Sequence, residues 1–254
     1  LDEQNMVLDF GKVKRIIKNT IDDVADHRLL IPTACSEVRW QQKGDRVWMD
    51  FSSEKGDIHL ACPSQAFALI PTEVIDYQSV NDFLKKALRE VLPENVQGIS
   101  LTLRNEVLDT PFYHYSHGLR KHDGNCQRIA HGHRSPVTVF ENGIAEPKWD
   151  QYWAERWHDI YLGTEEDLVS VKTLELSKQT KISDETHFGF HYVAPQGDFQ
   201  LAMPKHCCDL IPHDTTVEML AEYMAKTLAS QAPESHFKVI AYEGIGKGAI
   251  AVRG

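Results

Sequence analysis

Two segments of this chain carry one pattern: GDIHLACPSQAFALIP (56–71) aligns without gaps to GDFQLAMPKHCCDLIP (197–212). Gly, Asp, Leu, Ala, Pro and a final Leu-Ile-Pro recur in register, which points to a fold built from two related units. An amphipathic helix follows each copy. In the first, Val80, Phe83, Leu84, Ala87, Leu88 and Val91 form the apolar face, with Ser79 expected as N-cap. In the second, Val217, Leu220, Ala221, Met224 and Leu228 do so, and Thr215 and Glu218 have capping-box spacing. Each helix leads through a Pro-Glu turn into an alternating segment, ISLTLRNEV (99–107) or HFKVIAYEG (236–244), read as a strand. An earlier helix precedes each copy. Phe10, Val13, Ile17 and Ile21 line the first after Asp9; Trp149, Trp153, Trp157 and Ile160 line the second. A strand pair over residues 112–141 opens the second unit. It has no counterpart before the first, where the chain begins LDEQNMVLDF. The expected class is α+β, with a first unit over residues 1–108 and a second over 109–254. The boundary falls at the Leu-Asp-Thr-Pro turn, residues 108–111.

Composition narrows the function classes. The chain has 254 residues, 42% hydrophobic and 25% charged, an ordinary globular balance. Its apolar runs are short, so no membrane partner is expected. The five cysteines, Cys35, Cys62, Cys126, Cys207 and Cys208, suggest free thiols and a reducing, cytoplasmic setting. No basic-then-apolar signal segment begins the chain, and what precedes Leu1 is open. A formal net charge of −10 argues against nucleic acid as partner. One stretch reverses that sign: residues 119–134 carry Arg120, Lys121, Arg128 and Arg134 against the single acid Asp123, a setting for a small anionic ligand or for solvated bases.

The same stretch contains CQRIAHGHR (126–134). On a strand, His131 and His133 share a face, and Gly132 leaves the other face uncrowded. A third ligand must come from the facing strand, where YHYSHGLR (113–120) offers His114 and His117. Three neutral imidazoles hold zinc while leaving a fourth position open, the arrangement of a catalytic site. His-x-His alone usually marks surface histidines; the facing histidines and the nearby thiol make the pattern more specific. His206-Cys207-Cys208-Asp209 is a rival cluster, but its counterpart Gln65-Ala66-Phe67-Ala68 points to a buried strand or turn position.

HYSHGLRKHDGNCQRIAHGHRS resembles the zinc hairpin of the 6-pyruvoyl tetrahydropterin synthase and 6-carboxytetrahydropterin synthase family, in which a histidine precedes a cysteine and then His-Gly-His. Residues 6–30 are similar to that family's first helix with its Asp-His pair, 215–224 to its Thr-x-Glu helix start, and 239–252 to its closing strand. The resemblance implies a tandem of tunnelling-fold units, each an antiparallel sheet with two helices packed on one face. It implies a homo-oligomer with active sites at unit interfaces. His117, His131 and His133 match the Zn2+ ligands, Cys126 the catalytic thiol, and Asp26 and His27 the pair working with it. Glu243 matches the pterin-anchoring carboxylate, with Thr216 and Glu218 as further substrate-binding positions. The sequence departs from the family at Arg134-Ser135, at Gly244 and at Thr186-His187, which stands where an Asp-His pair is expected. The implied activity is a zinc-dependent lyase acting on 7,8-dihydroneopterin triphosphate, with a pyruvoyl or a carboxy product. In that setting the metal and Arg128 should lower the Cys126 pKa, and the basic stretch should meet the phosphates. A zinc hydrolase of another heterocycle and a non-catalytic pterin- or purine-binding protein are the alternatives. Whether the Asp-His pair and the thiol meet within one chain or between chains is open at this level.

Overall fold

The computed structural model describes residues 8–177 and 182–254; the opening Leu1–Val7 of the first expected segment lies outside the described residues. Along the chain come α1 (Phe10–Val24), β1 (Leu29–Pro32), β2 (Val38–Lys43), β3 (Arg46–Ser53), β4 (Gly56–Pro63), β5 (Phe67–Ile70) and α2 (Tyr77–Val91). After residue 108 follow β6 (Phe112–His117), β7 (His131–Glu141), β8 (Ile144–Ala145), α3 (Pro147–Arg156), β9 (His158–Thr164) and β10 (Leu168–Val169). The last elements are β11 (His187–Ala194), β12 (Gly197–Pro204), β13 (Cys208–Ile211), α4 (Val217–Gln231), β14 (Phe237–Tyr242) and β15 (Gly248–Arg253). The class is α+β, as the periodicities imply. Among the described residues no helix is long and apolar enough to cross a membrane.

One sheet runs β13-β9-β6-β7-β14-β15, with β8 paired to β7. Strand alternation buries Tyr113 and Tyr115 of β6 and Val137 and Val139 of β7 on one face. Helices α3 and α4 cover that face, and Trp153, Trp157, Leu220, Ala221, Met224 and Leu228 fill the core between them. The second sheet runs β10-β11-β12-β4-β3-β2 and so draws strands from both sides of residue 108. Its middle is the pairing of the two repeated segments, Gln200↔Ala61, Leu201↔Leu60 and Ala202↔His59. The contacts are reciprocal. A Cβ on Gly56 would meet the Pro204 ring at 2.9 Å, and one on Gly197 would meet the Pro63 ring at 2.5 Å, each glycine having positive φ (106° and 131°). After each copy the chain makes one 3-10 turn and a short parallel strand, β5 against β1 and β13 against β9. His206-Cys207-Cys208-Asp209 occupies that turn and strand in the second copy.

Local expectations differ from the structure at several places. Residues 99–107 form no strand: they join no ladder with a described strand, and side chains take up some of their backbone groups instead, Asn81 donating to the Leu101 carbonyl and Arg134 to that of Glu106. Ser79 is the third residue of α2, closing a reciprocal capping box with the true N-cap, Asp76. Helix α4 is capped by Thr216, not Thr215. Helix α3 stops at Arg156, so Trp157 is its C-cap and Ile160 belongs to β9. The expected closing strand over 239–252 is a hairpin, β14 with β15. Two helices on a sheet are observed for α3 and α4; α1 and α2 pack on each other, and α2 also touches β5.

Candidate metal and thiol site

The β6–β7 register sets His117 opposite His131 and Tyr115 opposite His133. One ligand atom from each of His117, His131 and His133 lies within 4.8 Å of the others. His117 and His131 are buried, and each ring is fixed through its Nδ1. His117 Nδ1 is 2.9 Å from the hydroxyl of the wholly buried Thr215, and His131 Nδ1 donates to the Arg128 carbonyl at 2.9 Å. Their Nε2 atoms are buried without a hydrogen-bond partner, as is that of His133. Glu243 Oε1 approaches His133 Nε2 to 2.9 Å, but off the direction an N–H would need. Burial drives the His117 pKa well below the usual imidazole range and takes His131 down to about 3, with neighbouring imidazoles adding to both shifts. His117 and His131 thus present neutral Nε2 atoms, and with that of His133 they make the donor set a divalent cation of the zinc type requires. His114, the other histidine of β6, points elsewhere and pairs with Asp159 at 2.5 Å.

Beside this cluster stands the thiol. Cys126 sits on a 3-10 turn, Gly124–Gln127, between β6 and β7. Its Sγ is 3.5 Å from His27 Nε2, and His27 Nδ1 is 2.8 Å from Asp26 Oδ2. His27 follows α1 with a left-handed φ of 55°, a strained conformation that turns its ring toward the thiol. Asp26, His27 and Cys126 therefore meet within one chain, the point the sequence leaves open. His187 takes no part: it begins β11, and its ring nitrogens contact Thr186 Oγ1 and the Asp57 carbonyl.

The expected lowering of the Cys126 pKa is not found without a metal. Burial raises it, the carboxylates of Glu243 and Asp26 add to the rise, and Lys247 opposes them. Arg128 does not reach the thiol; its guanidinium is buried and donates to the Asp26 carbonyl at 2.8 Å. The remaining bases of the stretch are also engaged. Arg120 pairs with Glu166 and Asp167, Lys121 with Glu166 and Asp214, and Arg134 lies over the Phe112 ring. The acids come from sequence positions that charge counting along a segment does not see.

A cavity of about 1100 Å³ opens at the site, lined among others by Asp26, His27, His131, His133, Arg28 and Lys55. Thr216 is occupied as the α4 cap and Glu218 is exposed on that helix's first turn; neither lines this cavity. Thr215, in contrast, holds a candidate ligand. Sequence spacing assigns it to a helix cap, and only the fold, which brings the loop before α4 to the end of β6, reveals its partner.

No family model matches the chain, and no curated protein matches it. Among solved structures the chain is similar to 6-pyruvoyl tetrahydropterin synthase from Plasmodium vivax, at 12% identity over 58% of this chain and 95% of that one, with a TM-score of 0.40. It is also similar to the Plasmodium falciparum 6-pyruvoyl tetrahydropterin synthase, at 10% identity over 56% and 91%, with a TM-score of 0.39.

Proposed function

We propose that the chain is a zinc-dependent lyase of the 6-pyruvoyl or 6-carboxytetrahydropterin synthase type, acting on 7,8-dihydroneopterin triphosphate. The observation that carries this reading is the juxtaposition of three buried Nε2 atoms, none of them hydrogen-bonded, with a thiol–imidazole–carboxylate chain, Cys126–His27–Asp26. His117, His131 and His133 would hold the metal, which supplies polarisation of substrate hydroxyls and a nearby positive charge favouring a thiolate. Asp26 accepts from His27 Nδ1–H and so leaves the Nε2 lone pair facing Cys126 Sγ. That nitrogen can take the thiol proton and return it. Glu243 is a carboxylate within the site that can accept two N–H bonds from the amidine-like edge of a pterin, in place of its contact with His133. The sequence resemblance supplies the substrate class, and the units 1–108 and 109–254 remain the proposed division of the chain.

The test is conversion of dihydroneopterin triphosphate by zinc-loaded protein, with triphosphate, acetaldehyde and the pterin product followed separately. Turnover that vanishes in Cys126→Ala while zinc content stays at one per chain is the expected result. Zinc-loaded protein that neither binds nor converts the substrate would overturn the reading.

A further inference from the structure

The thiol and the imidazoles form a second set of ligand atoms that the proposed lyase chemistry does not require. His27 Nε2, Cys126 Sγ and the His131 ligand nitrogen also lie within 4.8 Å of one another. His131 belongs to both sets. Its Nδ1 is committed to the Arg128 carbonyl, so its Nε2 is the one nitrogen it can offer to either. The rings stand close enough for a small displacement to exchange partners: centroids are 4.9 Å apart for His27–His131 and 4.5 Å for His117–His131.

We propose that His27, Cys126 and His131 form a second, overlapping metal site that takes a soft, thiophilic divalent cation such as Cd2+, in place of the ion held by the three imidazoles. A single imidazole lone pair binds one ion, so the two sites exclude each other and the chain carries one metal at a time. The donor sets differ in softness: three imidazoles suit zinc, whereas one thiolate with two imidazoles shifts preference toward softer ions. Binding replaces the S–H bond by an S–metal bond and releases the proton to solvent. Asp26 supports the site, since its bond to Nδ1 keeps the His27 Nε2 lone pair available. An ion bound there removes both the thiol and its base from proton transfer. That inhibitory consequence rests on the proposed lyase reading; the site itself rests on the three atoms.

The experiment is titration of metal-free protein with Cd2+, following the ultraviolet sulfur-to-cadmium charge-transfer absorption, with bound metal counted by mass spectrometry. One Cd2+ per chain should bind with a charge-transfer band. The band should disappear in Cys126→Ser, persist in His133→Ala, and require about tenfold more Cd2+ in His27→Ala. Bound Cd2+ should also shield Cys126 of the native protein from iodoacetamide, a readout needing no variant. A band unchanged in Cys126→Ser would place the ion on other cysteines and overturn the proposal, as would one bound Cd2+ without a band. Simultaneous occupation by Zn2+ and Cd2+ would overturn the exclusion. If the band behaves as expected but no form of the protein converts dihydroneopterin triphosphate, the lyase reading fails and the metal site stands.

Discussion

At His131 the fold fixes one ring nitrogen and leaves the other exposed to nothing but neighbouring ligand atoms. A buried polar group without a partner costs about 1–3 kcal/mol, a cost that metal coordination would offset. His117 repeats the arrangement with Thr215, 98 residues away in sequence. The alternation of His131 and His133 on one strand face, and the choice of facing strand, were legible because strand geometry alone dictates them. The Thr215 contact was not, because spacing to Glu218 gave that residue a rival role that Thr216 performs instead. Thr215→Val should therefore leave α4 intact, with its helical circular dichroism unchanged, yet weaken metal affinity about tenfold in competition with a chelator. Equal affinities in the two proteins would show that the hydroxyl does not orient the ring.

At the scale of elements, the repeat carried most of what could be read. It marked the segments that hold β4 with β5 and β12 with β13, without dividing them into strand, turn and strand, and it located the helices α2 and α4. It did not reveal that the two copies pair with each other, because antiparallel pairing between distant segments leaves no local mark in the sequence. Nor could alternation distinguish residues 99–107 from a strand, since what is missing there is a ladder partner. The reciprocal glycine–proline contacts make the pairing testable. Gly197→Ala adds a Cβ at 2.5 Å from Pro63 Cγ in a backbone conformation that L residues rarely adopt, so a loss of about 2 kcal/mol or more is expected in urea unfolding. Gly143→Ala, at φ 85° with no atom near its Cβ, should cost only about 1 kcal/mol. Equal losses would mean that the contact with Pro63 adds nothing to backbone strain.

Across the whole molecule, a chain of net charge −10 concentrates bases in the loop that bears the thiol, then neutralises them with acids from elsewhere. Arg120 and Lys121 tie this loop to Glu166 and Asp167 after β9 and to Asp214 before α4, while Arg128 ties it to the Asp26 carbonyl. The thiol and its base are thus held by contacts internal to one chain. Mixing Cys126→Ala chains with His27→Ala chains should give no more turnover than either alone; recovery would mean that the pair assembles between chains. The same network predicts a pH dependence. Asp167 is buried, and that burial, with Glu166 and Asp214 nearby, raises its pKa to about 6 from an ordinary 3.8, against the pull of Arg120 and Lys121. Between those values the folded chain binds more proton than the unfolded one, so this group's contribution to stability is complete below about pH 3.8 and is lost as pH rises through about 6. Asp167→Asn cannot ionise and lacks that dependence. The stability of the natural protein relative to Asp167→Asn, from urea unfolding at successive pH values, should therefore fall across pH 4 to 6 and level off above it. A difference that stays constant over the interval would show that Asp167 ionises alike in the folded and unfolded chains, and that Arg120 fully compensates its burial.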